Sequence, residues 1–128
     1  MPTNICITRA TTGAARDILD LQKLTYQSEA ALYQEYSIPP LIQTLPEMET
    51  ELQNRLVLKA VTDGGIVGSV RAYCQQGTCC IGRLIVHPAY QNRGLGPALM
   101  ATIAGCFPQA ERYELFTGHR SRRNLLFI

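Results

Sequence analysis

Six consecutive residues, Gln91-Asn92-Arg93-Gly94-Leu95-Gly96, carry the most specific chemistry in this chain. Glycines two apart let the backbone turn tightly and present successive N–H groups to one point. Where such a loop opens a helix, the helix N-terminus adds partial positive charge. The chemistry is anion binding by main chain, with phosphate as the natural ligand. Arg93 either adds a side-chain contact to that phosphate or stands in solvent. A glycine turn before a core helix is the plain alternative. A dinucleotide fingerprint fits poorly, because it needs a third glycine and position 99 is Leu.

The flanking elements must hold that loop. Ile81, Leu84, Ile85 and Val86 form an apolar, β-branched run that reads as a buried strand. His87-Pro88 stops it, since proline cannot donate to a ladder. Beyond the loop, Leu95, Ala98, Leu99, Thr102, Ile103 and Cys106 recur at helical spacing, with Pro97 read as the first helical residue.

The whole string, L-x-V-x-P-x-Y-Q-x-x-G-x-G-x-x-L-M, resembles the acyl-CoA-binding motif of the GNAT (general N-acetyltransferase) superfamily. Leu84, Val86, Pro88, Tyr90, Gln91, Gly94, Gly96, Leu99 and Met100 stand at the matching positions. The resemblance implies that amides of Asn92, Arg93, Gly94, Leu95 and Gly96 cradle the pyrophosphate of acetyl-CoA. It implies that the strand at Leu84, Ile85 and Val86 holds the pantetheine arm through its backbone. Gln91 belongs to the same set, and more often fixes the loop than touches ligand. Pro97 lacks an N–H where many relatives have one. A second stretch, LFTGHRSRRN, resembles the family's L-x-T-x-x-S-x-x-N segment through Leu115, Thr117, Ser121 and Asn124. In relatives Ser121 and Asn124 reach the pantetheine or adenine end of the cofactor. Relatives then continue through a Leu-Tyr pair and two more strands. Here Phe127 and Ile128 stand at those positions and the sequence stops.

The 128 residues make one domain, 1–128, with 46% apolar and 17% charged residues and a net charge of +2. That balance gives no argument for nucleic acid or a membrane surface. No apolar run approaches a membrane span of roughly 18 residues, and the N-terminus does not read as a secretory signal. Five cysteines without C-x-x-C, and only His87 and His119 besides, speak against a zinc site. They read as small core hydrophobes in a reducing cytoplasm, with Cys79-Cys80 the pair that could include a reactive thiol.

Taken in order, Asn4–Arg9 alternates as a first strand, and Thr11 or Thr12 is placed to cap a helix over 13–34. Tyr36–Pro40 breaks it. Thr44 and Glu47 have capping-box spacing for a helix to about Gln53. Strands follow at Leu56–Thr62, Ile66–Gln75 and Thr78–Val86, joined by Asp63-Gly64-Gly65 and Gln76-Gly77 turns. After the loop helix, Arg112–Thr117 is a strand parallel to 78–86, and 118–128 begins a helix capped by Ser121. The order β-α-α-β-β-β-α-β-α is an α/β class, mixed-sheet arrangement. It matches the GNAT-like acyl-CoA N-acyltransferase fold, truncated at the C-terminus to five strands. Strand 112–117 would then lack a neighbour, which predicts a homo-oligomer by edge pairing.

Acyl transfer to an amine also needs a base and an acid. Glu29, Glu35 and His87 are candidates for the first. Tyr73 is a candidate for the second, in place of the tyrosine that relatives carry where Ile128 stands. Tyr26, Tyr33 and Tyr36 either line an acceptor pocket or pack. Arg112, His119, Arg120, Arg122 and Arg123 make a small basic cluster, for the CoA 3′-phosphate, for nucleic acid, or simply solvated. The expectation is a cytoplasmic, acetyl-CoA-dependent N-acetyltransferase working by direct transfer in a ternary complex. The alternative is a non-catalytic acyl-CoA-binding or assembly protein.

Overall fold

A sheet whose central strands are apolar on both faces needs cover on both sides. Strand β2 (Leu56–Thr62) shows this: Val57 packs with residues of two helices on one face, and Leu58 and Ala60 pack with a third helix on the other. The computed structural model describes residues 4–34, 36–117 and 121–125; for 28, 29, 33, 116, 117 and 121–125 it describes the backbone.

Strand β1 (Cys6–Arg9) leads through a 3-10 turn (Thr12–Ala14) into α1 (Ala15–Tyr33). Thr11 sits at the cap of that turn, but its side chain makes no capping bond. A short helix α2 (Pro39–Ile42) follows, then α3 (Leu45–Asn54). The capping box forms as spaced: the Thr44 hydroxyl accepts from Glu47 N–H, and the Glu47 carboxylate accepts from Thr44 N–H at 2.8 Å. Strands β3 (Gly65–Gln75) and β4 (Thr78–Val86), helix α4 (Leu95–Gly105), and strands β5 (Arg112–Thr117) and β6 (Ser121–Leu125) complete the chain. The sheet order is β1-β2-β3-β4-β5-β6. Every pairing is antiparallel except β4 with β5, which α4 connects.

Three expectations need correction. The tail does not begin a helix. Residues 121–125 pair with β5, Thr117 opposite Ser121 and Tyr113 opposite Leu125. An unpaired ladder edge outweighed the local capping signal of Ser121. The sheet therefore has six strands rather than five, and β5 does not lack a neighbour. Pro97 is the third residue of α4, not the first: the helix starts at Leu95 with Gly94 as its cap. Finally, only Cys79 is fully buried, while Cys80 is half-buried and Cys6, Cys74 and Cys106 are exposed.

Candidate functional site

The parallel pairing of β4 with β5 starts at Thr78 opposite Arg112 and stops at Gly82 opposite Phe116. On the other side of β4 the register shifts at the same place. Gly82 faces Arg71 and Ile85 faces Ser69, so Arg83 and Leu84 together oppose Val70. Arg83 takes a left-handed φ of 51°. This is a β-bulge, which bends the strand and ends its pairing. Past it, His87 N–H donates to Val67 O at 2.8 Å, toward β3. Ladder alternation then turns the polar groups of Ile85 toward β3 and those of Leu84 and Val86 toward the open side. Ile85 is thereby spent on the sheet, with its side chain buried against Leu21 and Tyr26.

The open end of β4 feeds the glycine loop. Pro88–Tyr90 form one 3-10 turn, pinned by His87 Nδ1, which accepts from Ala89 N–H at 3.0 Å. The Gln91 side-chain amide donates to Val86 O at 3.0 Å, tying the loop to the strand. Asn92 and Gly94 both take left-handed φ values, 63° and 82°. The Gly94 requirement is conformational rather than steric, since a Cβ there would meet nothing within 4 Å. A Cβ on Gly96 would make only ordinary contact with Leu84, so the space above the loop is open. Among the described residues, no hydrogen bond occupies the N–H groups of Asn92, Arg93, Gly94, Leu95 or Gly96. Ala98 N–H closes the first turn onto Gly94 O, and Pro97 contributes no donor. Arg93 lies 5.5 Å from the Tyr90 ring centroid and is exposed.

The start of α4 is held close to the sheet by Gly68. A Cβ at that position would lie 3.0 Å from Leu99 Cδ1, 3.2 Å from Leu95 Cδ2 and 3.3 Å from Ile85 O. Gly68 pairs with Val86, so the close approach sits where strand hands over to loop.

On the α1–α3 side of the bulge lies a pocket of about 260 Å³, lined by Glu51, Arg55, Arg71, Tyr73, Gly82 and Arg83 among others. A polar chain that the sequence reading missed organises it. Gln22, fully buried, donates to Pro40 O at 2.9 Å and Gln43 Oε1 at 2.8 Å. Arg71, 4% exposed, donates to Gln22 Oε1 at 2.7 Å and pairs with Glu51. Glu51 also accepts from Gln43 at 3.0 Å and faces Arg55 Nε at 3.4 Å. Arg83 donates to Gln43 Oε1 at 3.2 Å. Burial pushes the Glu51 carboxyl up, but Arg71, Gln43, Arg83 and Arg55 together outweigh it and hold the group below its ordinary value. Arg55 stacks its guanidinium 3.9 Å from the Tyr73 ring centroid. These contacts span 20 residues or more of chain for Arg71, so no local spacing announces them.

The structure separates the proposed catalytic residues. Tyr73 lines the pocket at the bulge. His87 lies in a different hollow, with Asp17 and Asp20. Glu29 is on α1 with its side chain outside the described part, as is that of Tyr33, and Glu35 lies outside the described residues. Tyr26 lines the pocket, whereas Tyr36 is 64% exposed. Ser121 and Asn124 are on β6, beyond β5 from the open side of β4, rather than on a helix. His119 and Arg120 lie outside the described residues, and so do Phe127 and Ile128. Burial, with the Cys74, Cys80 and Cys106 thiols nearby, pushes Cys79 up to about 12, which removes it as a nucleophile. Among the described residues, no group of three His, Cys, Asp or Glu could hold a metal, and no helix is long and apolar enough to cross a membrane.

A mixed sheet that parts at a bulge, with a glycine loop and helix at the open end, is the acyl-CoA N-acyltransferase fold. The family model for the acetyltransferase (GNAT) domain matches residues 53–126, and the chain belongs to that family. No curated protein matches the chain in sequence. Among solved structures it is similar to the PaiA N-acetyltransferase from Thermoplasma acidophilum in complex with coenzyme A. That match has a TM-score of 0.71 and 15% identity, covering 91% of this chain and 81% of the other. A GNAT family acetyltransferase from Brucella melitensis in complex with acetyl-CoA matches with a TM-score of 0.66 and 18% identity, over 98% and 90%. N-acetylglutamate synthase from Neisseria gonorrhoeae, complexed with coenzyme A and N-acetyl-glutamate, matches with a TM-score of 0.69 and 18% identity, over 90% of this chain and 26% of that one.

Proposed function

We propose that the protein is an acetyl-CoA-dependent N-acetyltransferase that transfers the acetyl group directly to an amine within a ternary complex. The carrying observation is the row of uncommitted amides from Asn92 to Gly96, set beside the unpaired end of β4. Amides of that loop and the positive end of α4 suit a pyrophosphate. The Leu84 and Val86 backbone suits an amide-bearing arm. The relatives solved with coenzyme A and acetyl-CoA support the same cofactor. When bound, that group supplies an acetyl thioester. The chain's part is to orient the thioester, donate to its carbonyl oxygen from a β4 amide, and admit the amine from the Arg71–Tyr73 pocket. Of the four candidate acid–base residues, Glu29, Glu35, His87 and Tyr73, Tyr73 is the one that lines that pocket among the described residues. We assign its hydroxyl to protonate the departing thiolate.

Arg93 gives the loop a side-chain cation for phosphate, and Gln91 acts by fixing the loop. Ser121 and Asn124 have no part in this reading, because β6 sits on the far side of β5. Self-association loses its stated reason for the same cause. Five unpaired cysteines suit a reducing cytoplasm.

The test is release of free CoA thiol from acetyl-CoA against a panel of amines. Tyr73→Phe should lower kcat by about 100-fold and leave the affinity for CoA unchanged. Turnover equal to wild type removes Tyr73 from the chemistry. CoA binding without transfer to any amine favours the non-catalytic alternative.

A further inference from the structure

The pocket beside the bulge is more basic than its structural pairing requires. Three guanidiniums, Arg55, Arg71 and Arg83, face it with one carboxylate, Glu51. Glu51 is already engaged by Arg71, Arg55 and Gln43. Arg71 is 4% exposed, yet its Nε–H has no partner among the described residues. A buried donor left unmade is costly, so the guanidinium's positive character is not fully spent on its protein partners. Arg83 is held on the bulge at a left-handed φ, an uncommon state for a non-glycine residue, and it too lines the pocket. At about 260 Å³ the pocket lies just under the roughly 300–1,000 Å³ of ordinary small-molecule sites. A small acceptor fits this space better than a folded protein surface.

We infer that the acceptor amine is a small molecule that also carries an oxyanion, a carboxylate or a phosphate, met by Arg83 and Arg55 with the buried Arg71 guanidinium adding positive charge behind them. Guanidinium forks match both groups through paired N–H donors. The oxyanion would sit over the arginines and leave the amine near Gly82 and Arg83, where β4 and β5 part. This rests on the transferase reading only in naming the ligand as acceptor; the anion preference stands on the pocket alone.

Calorimetric titration tests it in two arms, each with CoA-free and CoA-saturated protein. One arm compares an α-amino acid with its primary amide; the other compares phosphoethanolamine with ethanolamine. The oxyanion member of at least one pair should bind 10-fold or more tightly than its neutral partner. Arg83→Gln and Arg55→Gln, each at a partly exposed site, should abolish that difference and leave binding of the neutral partner unchanged. The arm that responds identifies carboxylate or phosphate. Equal binding of both members, no binding by any of the four, or a preference that survives both substitutions would overturn the inference. Failure of CoA itself to bind would count against the transferase reading and leave the comparison in CoA-free protein decisive here.

Discussion

Glu51 shows how one residue can set a pH dependence. Its carboxyl titrates below its ordinary 4.5 in the folded protein because four cationic or amide groups surround it, against the opposing effect of burial. Lower affinity for protons in the folded state means that stability is fully present above about pH 4.5 and falls as pH drops through the folded value. Glu51→Gln should therefore flatten the acid limb of a stability–pH curve. At pH 7 it should cost about 2–3 kcal/mol, less than a fully buried pair, because the Glu51 side chain is 25% exposed. Chemical denaturation at pH 7 and pH 4 measures both effects. Gly94 makes a second residue-scale case. Its φ of 82° tolerates asparagine or aspartate at similar strain, and a Cβ meets nothing there. Gly94→Asp should therefore abolish CoA binding through charge, and Gly94→Asn should retain most of it; calorimetry on the two separates repulsion from strain. Residues of the glycine loop could be read in sequence because their work is local and backbone-based. Arg71, Glu51 and Gln22 could not, because each is polar for the sake of a partner far along the chain.

At the scale of elements, local patterning predicted most boundaries and tertiary pairing decided the rest. Strands β2, β4 and β5 fall where their apolar runs lie, and α3 starts at its capping box. Residues 121–125 carry helix-start chemistry yet join β5, since an edge ladder rewards pairing more than a cap rewards a turn. The bulge at Arg83 leaves no mark in composition either, because a left-handed arginine is a product of the sheet around it. Gly68 is the element-scale control on the site. Gly68→Ala would make the Leu95 and Leu99 side chains give by a few tenths of an ångström beside the Ile85 carbonyl, at about 1 kcal/mol. Denaturant titration should show that loss, and CoA affinity should fall slightly because Leu95 also borders the glycine loop.

For the molecule as a whole, the separation of labour between the two faces is the organising fact. The α4 face packs Leu58, Val70, Ile81 and Leu99 into an apolar core that fixes the loop helix. The other face packs two apolar clusters, around Ile18, Met48 and Val57 and around Leu21, Ile38 and Ile85, and also buries Gln22 and Arg71, which with the half-buried Glu51 organise the pocket. The β4–β5 pairing ends at Gly82 and Phe116 between the two faces, which is where the proposed reaction would bring cofactor and acceptor together. Family membership and fold were both readable from the loop motif and element order, while the basic pocket needed the folded chain. The most direct measurement of this account is a CoA titration followed by backbone amide resonances. Saturable shifts should cluster at Asn92–Gly96, Leu84 and Val86, with β1 and β6 unmoved. Loop amides that keep their free-state positions at saturating CoA, or shifts confined to another part of the chain, would contradict it.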